Sequence, residues 1–298
     1  MVSLLVPTRF PIDVARTLAP LGRGPGDPAM LVSPTEVWRA SRTPCGPVTA
    51  HLTAAEGGIE VETWGPGSEW LCQHAPGWCG ALDDDSGFDP APGPVRDLWR
   101  QHPGLRIPRT ELVTEALIPV IIEQKVTAAE ARRAHRRLAR ALAEPAPGPA
   151  GLSLPPDPAR VAGLPYFEFH PFGIERRRAE TLRAVCARAQ WLDEVAAGSL
   201  EEARARLESF PGIGPWTIAE VSQVALGDAD AVSVGDFHLP HVVAWVLAHE
   251  PRGTDARMLE LLDPYRPHRG RVQRLLRIGG ARAPAHGPRL SPRAIDRI

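Results

Sequence analysis

The chain has 298 residues, enough for about two domains, and its 43% hydrophobic and 23% charged residues are the balance of a globular protein that buries sizeable cores. No apolar run reaches the roughly 18 residues of a membrane-spanning helix, and the start at Met1-Val2-Ser3-Leu4-Leu5 lacks the basic segment of a signal peptide. The net charge of -1 hides an asymmetry: residues 1–100 hold 7 Arg against 12 acids, whereas residues 264–298 hold 9 Arg and one acid, Asp296, so polyanion binding is expected in the second half.

Val37–Ala40, Val48–Thr53 and Ile59–Trp64 read as strands, because they alternate or carry β-branched residues between Pro and Gly punctuation. Gly57-Gly58 is the expected hairpin turn. Residues 68–101 read as short helices, so residues 1–105 are expected to form a small α+β domain whose acidity argues against tight DNA contact. From Arg109 the pattern is helical. Leu112, Leu117, Ile118, Ile121 and Ile122 give one apolar face, with Pro119 either early in the helix or kinking it. Thr127-Ala-Ala-Glu130 is a capping box, followed by Ala131, His135, Leu138 and Leu142 at helical spacing. Residues 145–165 are Pro/Gly-rich and read as a loop or linker. Leu182, Val185, Cys186 and Ala189 mark another helix, Ser199-Leu-Glu-Glu202 caps the next, and Leu239, Val242, Val243, Val246 and Leu247 mark one more.

Between these helices lies Leu207-Glu-Ser-Phe210-Pro211-Gly212-Ile213-Gly214-Pro215-Trp216-Thr217. Its Gly-x-Gly turn permits positive φ and close approach of a ligand to the backbone, and the helix that opens after it offers unpaired N–H groups that suit a phosphate. Alone, the same turn also fits an ordinary helix–helix connection. About twenty residues on, Val234-Gly235-Asp236 places an aspartate at the start of the Leu239 helix, where the dipole favours an anion. Alone, that is also what a plain N-cap aspartate looks like.

Together, the Phe-Pro-Gly-Ile-Gly-Pro-Trp-Thr run, the gap and the Val-Gly-Asp resemble the helix-hairpin-helix DNA glycosylase superfamily, and within it the 3-methyladenine DNA glycosylase II (AlkA-like) family. Ile122-Glu-Gln124-Lys125-Val126-Thr127 sits where that family has a Gln-x-Val-Ser/Thr segment. Gly173–Ala179 is similar to its Gly-x-x-x-x-Lys-Ala helix start, and Tyr265–Val272 resembles its Pro-Trp-Arg-type C-terminal helix. The resemblance covers residues 105 to 282.

It implies a mainly α fold: a helix-hairpin-helix glycosylase core of two helical subdomains over residues 106–282, after the N-terminal α+β domain of residues 1–105 and before a tail of residues 283–298. The hairpin falls at residues 207–218 and the active-site segment at residues 228–241. Asp236 matches the catalytic aspartate. Phe210, Pro211, Gly212, Ile213, Gly214 and Thr217 match the phosphate-binding hairpin, whose Phe210 and Ile213 carbonyls are the candidate ligands of a Na or K ion. Trp216 stands where bifunctional relatives place a catalytic Lys, and a tryptophan cannot form a Schiff base, so lyase activity is not expected. Trp216 and Gln124 then line the base pocket, with Glu123 and Glu220 as further lining candidates. Lys125, the only lysine, falls at the wedge position. The C-terminal helix carries Arg269, Arg271, Arg274 and Arg277 in place of an aromatic clamp, and Arg269 and Arg271 are the expected phosphate contacts.

Cys45, Cys72, Cys79 and Cys186 form no CxxC pair, which argues for a reducing cytosol, and with none beyond Cys186 the four-Cys iron–sulfur cluster of some relatives is not expected. No cofactor is required. The implied function is a monofunctional DNA N-glycosylase that excises alkylated bases of the 3-methyladenine type by base flipping, as a monomer on damaged double-stranded DNA in the bacterial cytoplasm, at the nucleoid. The alternatives are a glycosylase for uracil or a deaminated purine, and a non-catalytic helix-hairpin-helix protein that binds damaged DNA.

Overall fold

A computed structural model describes residues 1–285. The chain opens with strands β1 (Val2–Pro7), β2 (Met30–Val32), β3 (Glu36–Thr43), β4 (Gly46–Ala55) and β5 (Gly58–Trp64). They form one antiparallel sheet in the order β1-β5-β4-β3-β2. Its register aligns Leu4, Val61, Leu52 and Val37 across four strands, so one face is a continuous apolar row. β1 lies outside the expected strands, because its apolar run lacks the period-two alternation that marked the others. Ala55 pairs with Gly58, so the hairpin turn is Glu56-Gly57 rather than Gly57-Gly58. Gly57 supplies the positive φ of 83°. Gly58 belongs to β5, where a Cβ would collide with the Val6 carbonyl.

The helices are α1 (Val14–Leu18), α2 (Ser68–Trp78), α3 (Pro94–Gln101), α4 (Val113–Glu123), α5 (Ala128–Ala141), α6 (Pro158–Gly163), α7 (Arg176–Cys186), α8 (Ala189–Asp193), α9 (Leu200–Glu208), α10 (Pro215–Val221), α11 (Leu239–Ala248), α12 (Asp255–Leu262) and α13 (Arg269–Ile278). Both capping boxes close in both directions, Thr127 with Glu130 and Ser199 with Glu202, and fix the starts of α5 and α9. The α4 helix runs through Pro119 and is buried on nearly all sides. It is pinned to the sheet by Glu115, which accepts from Arg39 at 2.7 Å, the Ser41 hydroxyl at 2.9 Å and the Arg42 N–H at 3.1 Å. No helix among the described residues is long and apolar enough to cross a membrane.

Two cores result. The larger joins the sheet and α2 to α4, α5, α7, α9 and α10. The smaller joins Leu239, Val243, Met258, Leu262 and Leu275 of α11–α13 to Val95 and Leu105. Thus α3, which the sequence assigns to the N-terminal unit, packs with the C-terminal helices. The loop or linker expected over residues 145–165 is neither throughout: Pro158–Gly163 form α6, and the stretch before it packs on the sheet. Leu152 and Leu154 are buried against Ala40 of the sheet, and the Ser153 N–H donates to Pro28. Of the expected tail, residues 286–298 lie outside the described residues.

Candidate active site

The hairpin forms because its apolar side chains turn inward. Phe210 and Ile213 are buried, the Ile213 N–H donates to the Phe210 carbonyl at 3.1 Å, and Pro211 and Gly212 stay exposed. Gly212 has φ 92°, and a Cβ there would stand 2.5 Å from the Thr181 hydroxyl, so α7 demands the glycine. Gly214 is different. Its backbone is extended, it caps α10, and a Cβ would meet nothing within 4 Å.

The Gln124 side-chain amide donates to the Gly212 carbonyl and to the Thr217 hydroxyl, both at 2.9 Å. Gln124, expected in the base pocket, therefore ties the α4–α5 turn to the hairpin. Thr217 is buried as the acceptor of that tie, so its side chain does not face a phosphate. Phe210 and Ile213 likewise can offer only backbone atoms. Lys125 follows Gln124 at the exposed tip of the turn with φ 56°, an unusual backbone for a residue with a side chain.

Asp236 is held at both oxygens. Oδ1 accepts the N–H groups of His238 and Leu239, each at 2.8 Å, at the entry to α11. Oδ2 accepts the Trp216 indole N–H at 3.3 Å and lies 3.7 Å from the Arg277 guanidinium. Arg277 donates to both oxygens of Glu220, at 2.8 and 3.2 Å, and Glu220 also accepts the Ser233 hydroxyl. Burial pushes the Glu220 carboxyl up, but Arg277 and Ser233 more than offset it and hold the group below its usual range. Burial likewise opposes the charge on Arg277, while Glu220 and then Asp236 hold it above its usual value. The result is an alternating row: Glu220 anion, Arg277 cation, Asp236 anion, with Trp216 closing one side. In sequence Arg277 stands out only as one of an Arg-rich helix. The signal that could have singled it out is a carboxylate, Glu220, on the helix that the hairpin opens.

Two expected phosphate contacts are corrected. Arg269 donates to both oxygens of Asp230, at 2.9 and 2.6 Å, so its guanidinium is engaged. Arg271 is fully buried, with two bonds of 2.8 Å to Asp83 in the N-terminal region, and cannot reach DNA. Both bind their own chain because α13 packs between two loops that carry acids.

No protein-family model matches the chain. The probable bifunctional transcriptional activator/DNA repair enzyme AlkA of Mycobacterium tuberculosis is 28% identical over 163 residues, 53% of this chain and 32% of that protein. The chain thus spans about a third of the length of the curated relative it matches. The 3-methyladenine DNA-glycosylase from Archaeoglobus fulgidus superposes with a TM-score of 0.75 at 17% identity, over 92% of this chain and 97% of that one. The Clostridium acetobutylicum 8-oxoguanine glycosylase/lyase in its apo-form superposes with a TM-score of 0.68 at 12% identity, over 92% and 95%. The fold is that of the helix-hairpin-helix DNA glycosylases, a helical core behind a small N-terminal sheet domain. The likeness in sequence is to the Mycobacterium tuberculosis AlkA.

Proposed function

We propose that the chain is a monofunctional DNA N-glycosylase that releases alkylated bases from duplex DNA, the first step of base excision repair. The observation that carries this reading is the Asp236 carboxylate, fixed by two backbone N–H groups and only 20% exposed, beside a hairpin with an unobstructed glycine. The damaged nucleotide must leave the stack before its sugar bond is reachable. Lys125, at the tip of its turn, fills the gap. As the C1′–N bond breaks, the bonding pair leaves with the base and C1′ takes on oxocarbenium character, which the Asp236 anion stabilises. A water oxygen then bonds to C1′, and its released proton balances the charge. Glu220 is committed to Arg277 and Ser233, so a single carboxylate serves the reaction. A Na or K ion at the hairpin would be held by the Ile213 carbonyl and the remaining lone pair of the Phe210 carbonyl, organising backbone for phosphate. The protein acts as a monomer on damaged double-stranded DNA, in the bacterial cytoplasm at the nucleoid. A module that only binds damage gains nothing from an anion held at such a site. The deciding assay incubates the protein with methylated duplex DNA and measures free bases by chromatography.

Two outcomes are expected here. Borohydride should trap no covalent protein–DNA adduct, because Trp216 has no amine to attack C1′; a strong trapped band would point to Lys125 or the N-terminal amine. Gly214→Asp should leave the melting temperature near wild type, since its side chain enters open space, yet weaken duplex binding at least tenfold by placing a charge at the hairpin backbone. Unchanged affinity in a fluorescence titration would remove this surface from the DNA contact.

A further inference from the structure

Between the N-terminal region and the core lies a cleft of about 180 Å³. At ~30 Å³ per water that is the space of about six waters, enough for one flat heterocycle. Arg16, Arg23, Glu220, Gln223, Arg274 and Arg277 supply its polar lining, and Arg277 joins it to Asp236 at 3.7 Å. Arg274 and Arg277 lie one turn apart on α13. Arg274 is 3% exposed. One terminal nitrogen donates to the carbonyls of Arg16 and Thr17, but its Nε and other terminal nitrogen find no hydrogen-bond partner among the described residues. The Arg23 Nε is likewise without one. Buried donors without acceptors are costly and call for an acceptor from outside the chain. Four guanidinium groups line the cleft with one carboxylate, Glu220. Arg16 pairs with Asp13, Arg23 with Glu123 and Arg277 with Glu220, so Arg274 brings the charge that no carboxylate among the described residues balances.

We infer that this cleft receives the flipped base and selects, among alkylated bases, uncharged ones that present ring-nitrogen or carbonyl acceptors, against cationic N-alkylpurines. The inference rests on the glycosylase reading and adds what that reading leaves open. A neutral base that leaves with the bonding pair becomes an anion, which Arg274 and Arg277 stabilise until a proton from the attacking water reaches it. The products are then a neutral base and an abasic site. A cationic base becomes neutral as it leaves, gains nothing from these groups, and is repelled on entry. Burial lowers Arg274 to about 9, which leaves it a cation at neutral pH.

The test uses the full chain and two otherwise identical duplexes. One carries ethenoadenine, an uncharged alkylated base with ring-nitrogen acceptors, and the other 7-methylguanine, a cation. Single-turnover release is expressed relative to each lesion's spontaneous loss. Wild type should accelerate ethenoadenine release at least tenfold more than 7-methylguanine release. Arg274→Met should lose about tenfold on ethenoadenine and release 7-methylguanine faster than wild type, and Arg274→Lys should reverse part of both changes. Where Arg274→Met does not fold, the wild-type ratio decides alone. A ratio at or below one overturns the inference while release of 7-methylguanine keeps the glycosylase reading. Release of neither base ends both.

Discussion

Asp236→Asn should reduce base release by about 10²–10³-fold, roughly 3–4 kcal/mol of barrier, the usual loss when a preorganised electrostatic stabiliser is removed. The substitution is conservative where the fold needs it. The remaining carbonyl oxygen can still accept the His238 and Leu239 N–H groups that begin α11, so melting should change little. It is severe where the chemistry needs it. The charge disappears, and an amide would present donors to the Trp216 indole N–H and the Arg277 guanidinium, where an acceptor stood. Duplex affinity should be retained or rise, since an anion near the DNA is gone. Single-turnover release, read beside a binding titration, separates the two effects. Wild-type release by the variant would place the chemistry elsewhere.

Arg271→Ala should destabilise the protein by about 3–5 kcal/mol, the cost of breaking a buried ion pair from one side. The Arg271 guanidinium is inaccessible and bonds to both oxygens of Asp83 at 2.8 Å. Asp83 also accepts the Ile107 N–H at 3.0 Å, so the pair joins α13 to the segment that leads out of the N-terminal region. Alanine strands the carboxylate in the interior, which is why loss of one partner exceeds the net worth of the pair. A lower denaturant midpoint with an unchanged salt dependence of DNA binding is the expected result. A stable variant whose salt slope fell by about one unit would return Arg271 to the phosphate contacts.

The contrast between Asp236 and Arg271 marks where sequence suffices. The capping boxes at Thr127 and Ser199, the Gly-x-Gly turn at Gly212–Gly214 and an aspartate at the start of the Leu239 helix were legible because each is local chemistry. A side chain meets a backbone group three residues away, or a glycine takes a φ other residues avoid. The acidic and basic halves were legible as composition, but composition counts charges without pairing them. Arg269, Arg271, Arg274 and Arg277 look alike along α13. Packing alone gives them Asp230, Asp83, the Arg16 and Thr17 carbonyls, and Glu220. Gln124 became a hairpin tie, and α3 joined the C-terminal core, for the same reason. The sequence by itself determined the capped helices, the Gly-x-Gly turn and the aspartate, since these depend on neighbours in the chain. Only the tertiary structure decided which guanidinium groups are spent on the fold and which line the cleft beside Asp236, because that depends on partners up to 258 residues away.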